Sequence, residues 1–260
     1  MNKQQTSPEK RGIEWANFTW NPVTGCQHGC EWVMPDGSVA ECYAKTIADK
    51  FQSDKFMPHG FEAHGFHPER LGEPLKLKTP ARIFLDSFSD LMGHWVPDEQ
   101  IEQVLDVCRQ AHWHTFQLLT KNAPRLLKFD FPPNVWVGVS APPSHMFGKP
   151  LSHEQQVKMA MAQLHVLYQL AHRVPVRWMS IEPLSFDIAE TLWGALELAT
   201  PDWLVIGAAS NGPKTYQPDP AWLRNLLDYA EEDTPVFFKG NLRGNPAANP
   251  WREEFPAVRS

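Results

Sequence analysis

The chain has 260 residues, 42% of them apolar, with a net charge of −6 and a pI near 6.0. That length suits one large domain, and the acidic balance argues against a generally basic nucleic-acid coat while leaving room for a local basic groove. No apolar run approaches the ~20 residues of a membrane span, the start MNKQQTSPEKRG lacks an apolar signal core, and the cysteines read as metal ligands rather than a disulfide framework. The expectation is a soluble cytoplasmic protein whose thiols stay reduced.

Residues 1–12 read as a flexible tail and 13–260 as a single domain. FTWNPVTG is the first expected strand, ending at a cysteine segment, and CYAKTIADKF follows as a helix. Residues 54–80, rich in His, Pro, Gly and Phe, read as a long irregular excursion. RIFLDS is the second strand. PDEQIEQVLDVCRQAH then places Ile101, Val104, Leu105 and Cys108 on one helical stripe, with Pro97 and acids at its start. HTFQLLTK is the third strand, with a short helix at PRLLKF, and VWVGVSA is the fourth, with a long helix over 153–172. VRWMSIEPL precedes a helix near 187–198, DWLVIGAAS precedes the helix PDPAWLRNLLDYAEE, and PVFFKGN is a seventh strand.

Strand–helix units repeated in this way imply an α/β fold with a parallel sheet covered by helices. A partial or complete (β/α) barrel of six or seven parallel strands, or an open doubly wound sheet, satisfies the pattern. Either places function at the C-terminal strand ends, which here read TGC, DSFSD, LTK, GVSA, SIEP, GAAS and FFKGN.

Three of the four cysteines lie in TGCQHGCEWVMPDGSVAECYAK: Cys26, Cys30 and, after an insert, Cys42. Within the insert, Asp36-Gly37 is the preferred centre of a two-residue hairpin. Pairing outward from it sets Val33 against Ala40, Trp32 against Glu41 and Glu31 against Cys42, so Cys30 comes within one residue of Cys42. The insert thereby returns Cys42 to the other two cysteines. Three chemistries fit. A [4Fe–4S] cluster held by three thiolates leaves one iron open to a small molecule. Zinc completes a Cys3His set if His28 joins the cysteines. Three buried thiols need no metal at all.

At these residues the chain resembles radical S-adenosylmethionine (SAM) enzymes, whose usual signature is C-x3-C-x2-C after the first barrel strand. It is more closely similar to a phage- and prophage-associated family of uncharacterised proteins. That family shares WNPVTGC, a G-C and a C-Y-A opening a helix, then FLDSFSDL, FQLLTK, NVWVGVS, SIEPL, DWLVIG and FFK in order. Its kinship is with spore photoproduct lyase. The resemblance implies a radical SAM barrel in which Cys26, Cys30 and Cys42 hold a [4Fe–4S] cluster, SAM binds the open iron, and an external one-electron reductant starts the chemistry. It also implies a serine, a lysine and a serine around the methionine end of SAM, matched by Ser87 or Ser89, Lys121 and Ser140. An aromatic usually precedes the third cysteine; here Glu41 stands there and Tyr43 follows it, so Tyr43 is the aromatic candidate at SAM. A nucleic-acid base or nucleotide-linked group is the implied substrate, in phage DNA hypermodification or thymine-lesion chemistry. The rival from another class is a zinc-stabilised nucleic-acid- or protein-binding module without redox chemistry.

Other residues carry two readings each. Glu182 ends a buried strand, where a carboxylate is costly unless paired; it serves SAM or substrate, or forms a salt bridge. Of Asp86 and Asp90, one orients the SAM amino group and the other caps a helix. Lys239 is an anion site or an ion-paired lysine. Cys108 reads as core, His59, His64 and His67 as surface histidines, and Trp20 as packing under the cysteines.

Overall fold

The computed structural model describes residues 1–4, 6–7, 10–51, 56–189, 201–230 and 233–257. Its centre is a sheet in which seven parallel strands follow one another in chain order. These are β1 (Phe18–Trp20), β2 (Arg82–Leu85), β3 (Thr115–Thr120), β4 (Val135–Ser140), β5 (Arg177–Ile181), β6 (Trp203–Ile206) and β7 (Val236–Phe238). A doubly wound sheet reverses its strand order at a switch point, and this order never reverses. The alternation in each strand serves two cores. Ile83, Leu85, Phe116, Leu118, Val137, Val139, Met179, Leu204 and Phe238 face the helices, while Phe84, Trp136, Trp178, Trp203, Val205 and Phe237 face inward.

The sheet is curled. Trp15 stands 4.7 Å from Phe84 of β2 and 6.2 Å from Trp203 of β6, ring centre to ring centre. In a flat sheet those strands would lie roughly 19 Å apart. At the outer edge of β7, Phe238 N donates to Arg252 O, Phe255 packs on Trp203 and Phe237, and the Arg82 guanidinium lies 3.9 Å over the Phe255 ring. N- and C-terminal segments thus fill the gap of a partial (β/α) barrel. Residues 1–12, expected as a flexible tail, depart from that reading at Asn2–Lys3, which pair antiparallel with Phe18 and Thr19 at the sheet edge. The alternating backbone there finds an open strand edge to bond.

The outer layer contains α1 (Tyr43–Phe51), α2 (Asp98–Gln110), α3 (His153–Gln169) and α4 (Pro220–Tyr229). Helix α2 starts after Pro97 with Asp98 and Glu99 in its first turn, where acids complement the helix dipole. Ser152 and Gln155 form a capping box at α3, and Asp219 caps α4. Cys108 is buried on the apolar stripe of α2, as expected. The expected helix near 187–198 lies almost wholly outside the described residues. Trp20 packs with Phe116 in the helix-facing core and donates from Nε1 to Arg70 O, so it is outer-layer packing rather than a support under the cysteines.

Candidate functional site at the C-terminal mouth of the barrel

The cysteine insert folds as a hairpin, one residue out of the expected register. Glu31 pairs with Glu41, Trp32 with Ala40 and Val33 with Val39. The reason is local. Two-residue Asp-Gly turns need positive φ at both positions, and here only Gly37 has it, at +80°. Met34 N donates to Ser38 O and Gly37 N to Met34 O, making a three-residue loop of Pro35, Asp36 and Gly37. The extra loop residue carries the chemistry. In the expected register Cys42 would share a face with Glu31, opposite to the Cys30 face. In the observed one Cys42 N donates to Cys30 O at 3.1 Å, so the two cysteines face each other across the ladder. Cys30, Met34 and Ala40 are buried and Val33, Val39 and Glu41 exposed, which identifies the thiol face as the inner one.

Cys26 follows β1 and is tied by its N–H to Phe61 O. All three cysteines line one cavity of about 530 Å³, together with Tyr43, Lys121, Ser140, Glu182 and Lys239. Burial pushes the Cys30 thiol up to about 11, against the opposing pull of Lys121. The Cys26 thiol is pushed up further by burial, with Asp90, Cys30 and Cys42 adding to the effect. Among the described residues no three His, Cys, Asp or Glu side chains already enclose a metal position. The donor set fits a group that takes three thiolates and leaves one position open: Cys30 and Cys42 face each other across the hairpin and share one cavity with Cys26 and Lys121.

Lys121 ends β3. Burial works against its charge, but Cys30, Cys42 and Asp90 carry its pKa above the ordinary lysine value. Its Nζ donates to Ser140 Oγ at 2.9 Å and lies 5.9 Å from the Trp32 ring centre. The expected lysine and β4 serine are therefore in direct contact. Ser87 and Ser89 also line the cavity, but their hydroxyls are engaged: Ser87 Oγ donates to Asn21 Oδ1, and Ser89 Oγ to Gly25 O beside Cys26. The half-exposed Tyr43 donates its hydroxyl to Ser87 O.

The two aspartates divide. Asp86, at φ +51°, accepts from Val23 N through Oδ1 while Oδ2 has no partner. Burial raises its pKa well above the ordinary aspartate value. Asp90 Oδ2 accepts from His28 Nε2 at 2.7 Å, Thr120 Oγ1 at 2.9 Å and Lys121 N at 2.9 Å, and Oδ1 accepts from Met92 N. Burial opposes its ionisation, but the His28 bond and the other donors hold its pKa below the usual value. Asp90 thus binds the cysteine loop to the ends of β2 and β3. His28 Nδ1 is buried without a partner.

Glu182 and Lys239 form an ion pair at 2.7 Å, with Ser180 Oγ donating to Glu182 Oε1 at 3.1 Å. Both readings of each residue meet here: they are paired, and they line the cavity. The expected surface histidines are only partly so. His67 Nε2 bonds Thr24 Oγ1 and His64 Nε2 bonds Gln100 Oε1, which pins the 56–80 segment to the barrel. Sequence reading missed Trp32 as a cavity wall, although it lies two residues from Cys30 and so on the same strand face. It also missed the His28–Asp90 pair and the contact of Asp36 with Lys214 and Tyr216; nothing in local sequence signals those.

Residues 10–246 match the profile of a family described as "Protein of unknown function (DUF5131)". The chain belongs to that family. No curated protein matches this DUF5131 member. Among solved structures it is similar to a spore photoproduct lyase mutant with bound AdoMet and dinucleoside spore photoproduct, at 11% identity and a TM-score of 0.46. That match covers 84% of this chain and 62% of the lyase, so the chain spans less than two thirds of that relative's length. A second lyase structure, complexed with dinucleoside spore photoproduct, is matched at 11% identity and TM-score 0.46 over 88% of this chain and 78% of that one. Likeness at this level assigns no residue a role.

Proposed function

We propose that this DUF5131 protein is a radical SAM enzyme, with Cys26, Cys30 and Cys42 as the ligands of a [4Fe–4S] cluster. The observation that carries the reading is the hairpin register, which sets Cys30 and Cys42 opposite each other on the face that meets the Cys26 cavity. Three thiolates and an open fourth position suit a cluster that binds a small molecule. When bound, cluster and SAM together supply one-electron cleavage to methionine and a 5′-deoxyadenosyl radical that takes hydrogen from a substrate.

The chain's own residues have the following tasks. The Lys121 ammonium, oriented by Ser140, pairs with the carboxylate of SAM. The Glu182–Lys239 pair offers an acceptor and a donor to hydroxyl groups. Asp90 and His28 hold the C-x3-C loop. Tyr43 and Trp32 wall the cavity with aromatic surface. Of the substrates expected, we favour a nucleic-acid base or a base-bearing small molecule, with an external one-electron reductant. Anaerobic purification tests the reading: a brown protein with about four irons and sulfides per chain and release of 5′-deoxyadenosine on dithionite reduction are expected. A colourless protein holding one zinc, with no SAM cleavage after iron reconstitution, overturns it.

One observation favours a second reading. Metal-bound histidine usually donates its other ring nitrogen to a carboxylate, and His28 does so to Asp90 while its Nδ1 has no partner. A Cys3His zinc module would use that nitrogen. His28→Gln, whose side-chain amide keeps a donor toward Asp90 but offers no second ring nitrogen, separates the two: zinc affinity collapses under the second reading, and iron stoichiometry persists under the first.

A further inference from the structure

A second cavity of about 560 Å³ adjoins the first, sharing Trp32, Tyr43, Glu182 and Lys239 with it. It adds Glu14, Glu41, Ser210, Thr215 and Asn241. Its volume lies in the range of small-molecule sites. Two features limit what it takes.

The first is the roof. The cysteine hairpin joins His145–Met146 and Lys149–Pro150 in a four-stranded sheet. Its tip then reaches the 209–216 hairpin, where Asp36 Oδ2 accepts from Lys214 Nζ at 2.6 Å and Tyr216 Oη at 2.7 Å. Asn211 Nδ2 adds longer bonds to Ser38 Oγ and Val39 O. Residues of both hairpins line the second cavity. A polymer backbone would have to thread beneath this span, whereas a small molecule needs no such passage.

The second is charge. The described lining residues include three carboxylates and one ammonium: Glu182 stands 2.7 Å from the Lys239 ammonium, Glu41 lies at the exposed rim 3.7 Å from Lys45, and Glu14 accepts from Gly240 N with no cation partner among the described residues. Like charges brought together cost free energy, so a phosphate entering here is opposed, chiefly by Glu14. Hydroxyl and amino donors are welcomed by the same carboxylates, and Trp32 supplies an aromatic wall.

Building on the radical SAM reading, we infer that the second cavity is the substrate compartment, and that it takes a free, nucleoside-sized ring compound bearing hydroxyl or amino groups and no phosphate. The substrate is thus met as a small molecule, not as part of a nucleic-acid strand.

Equilibrium dialysis of the anaerobically purified protein tests this with thymidine, adenosine, cytidine and guanosine, their 5′-monophosphates, and a 15-nucleotide single strand and duplex. At least one nucleoside should bind tenfold or more tightly than its 5′-monophosphate and than either oligonucleotide. Glu14→Gln combined with Glu41→Gln should narrow the gap to the monophosphate at least threefold. Ser210→Trp, or Thr215→Trp from the facing strand, should fill the cavity and remove nucleoside binding. Either is used only if its circular dichroism and melting match the parent. Equal or tighter binding of the monophosphate or an oligonucleotide, no binding of any nucleoside, or nucleoside binding unchanged in both filled variants overturns the inference. Iron content and reductive 5′-deoxyadenosine release, measured on the same samples, report on the radical SAM reading separately. Their loss with selective nucleoside binding intact removes that reading, and the reverse result removes only the compartment.

Discussion

The two ends of the barrel use the same seven strands for opposite purposes. At the floor, inward positions are aromatic. Trp15 meets Trp178 at 5.1 Å, Trp178 meets Trp203 at 5.2 Å and Trp203 meets Phe255 at 5.4 Å, ring centre to ring centre. Aromatic pairs of this kind add to their burial energy. At the mouth the inward residues are Lys121, Ser140, Ser180, Glu182 and Lys239. Buried polar side-chain atoms without a partner occur at both ends, His28 Nδ1 and Asp86 Oδ2 at the mouth and Trp15 Nε1 and Trp178 Nε1 at the floor. Such atoms cost stability unless something satisfies them. Aromatic packing therefore fills the floor, while the mouth presents polar and charged side chains to a cavity.

The largest expected effect is at the floor. Trp203→Ala should cost about 3–5 kcal/mol in denaturant unfolding, while iron bound per folded molecule stays at the parent level. A loss of iron equal to the loss of stability would merge the two regions. Gly138→Val comes next. A Cβ there would meet the Trp178 ring at 2.3 Å, so overpacking by about 1–3 kcal/mol is expected in the same measurement. The mouth should behave in the opposite way. Cys42→Ala should alter stability by less than about 1 kcal/mol, yet abolish stoichiometric iron binding; a variant that still assembles the full complement would remove Cys42 from the ligand set.

The smallest effect belongs to the exposed roof contact. Hydrogen bonds from Lys214, Ser38 and Tyr216 hold the Asp36 carboxyl well below the usual carboxylate range. A depressed carboxyl contributes stability above its unfolded pKa and loses it as pH falls through the folded value. Asp36→Asn should therefore speed alkylation of Cys42 relative to Cys108 in metal-free protein at neutral pH, where the parent carboxylate is ionised and paired. Added salt should shrink the difference, because exposed pairs are screened. An unchanged Cys42 rate at low salt would show that the roof holds without this contact.

Much of the fold was legible along the chain. Runs such as RIFLDS and VWVGVSA are apolar enough to be buried strands, and the stripe Ile101, Val104, Leu105, Cys108 has helical spacing, so each element follows from its own residues. Lys121 and Ser140 were legible because strand ends place polar groups at the mouth. The two serines of DSFSD were not separable from sequence, since whether a hydroxyl is engaged depends on Asn21 and Gly25, more than sixty residues away.

The sequence by itself determined the alternation of strands and helices, the polar strand ends and the clustering of three cysteines around a turn, because these depend on local periodicity and side-chain chemistry. Tertiary structure decided three things: that the sheet curls with its termini across the gap, that one further loop residue sets Cys30 and Cys42 on the same face, and that Asp90 binds His28. Curvature, register and burial arise from contacts between distant segments, and a one-residue shift of register reverses every side chain.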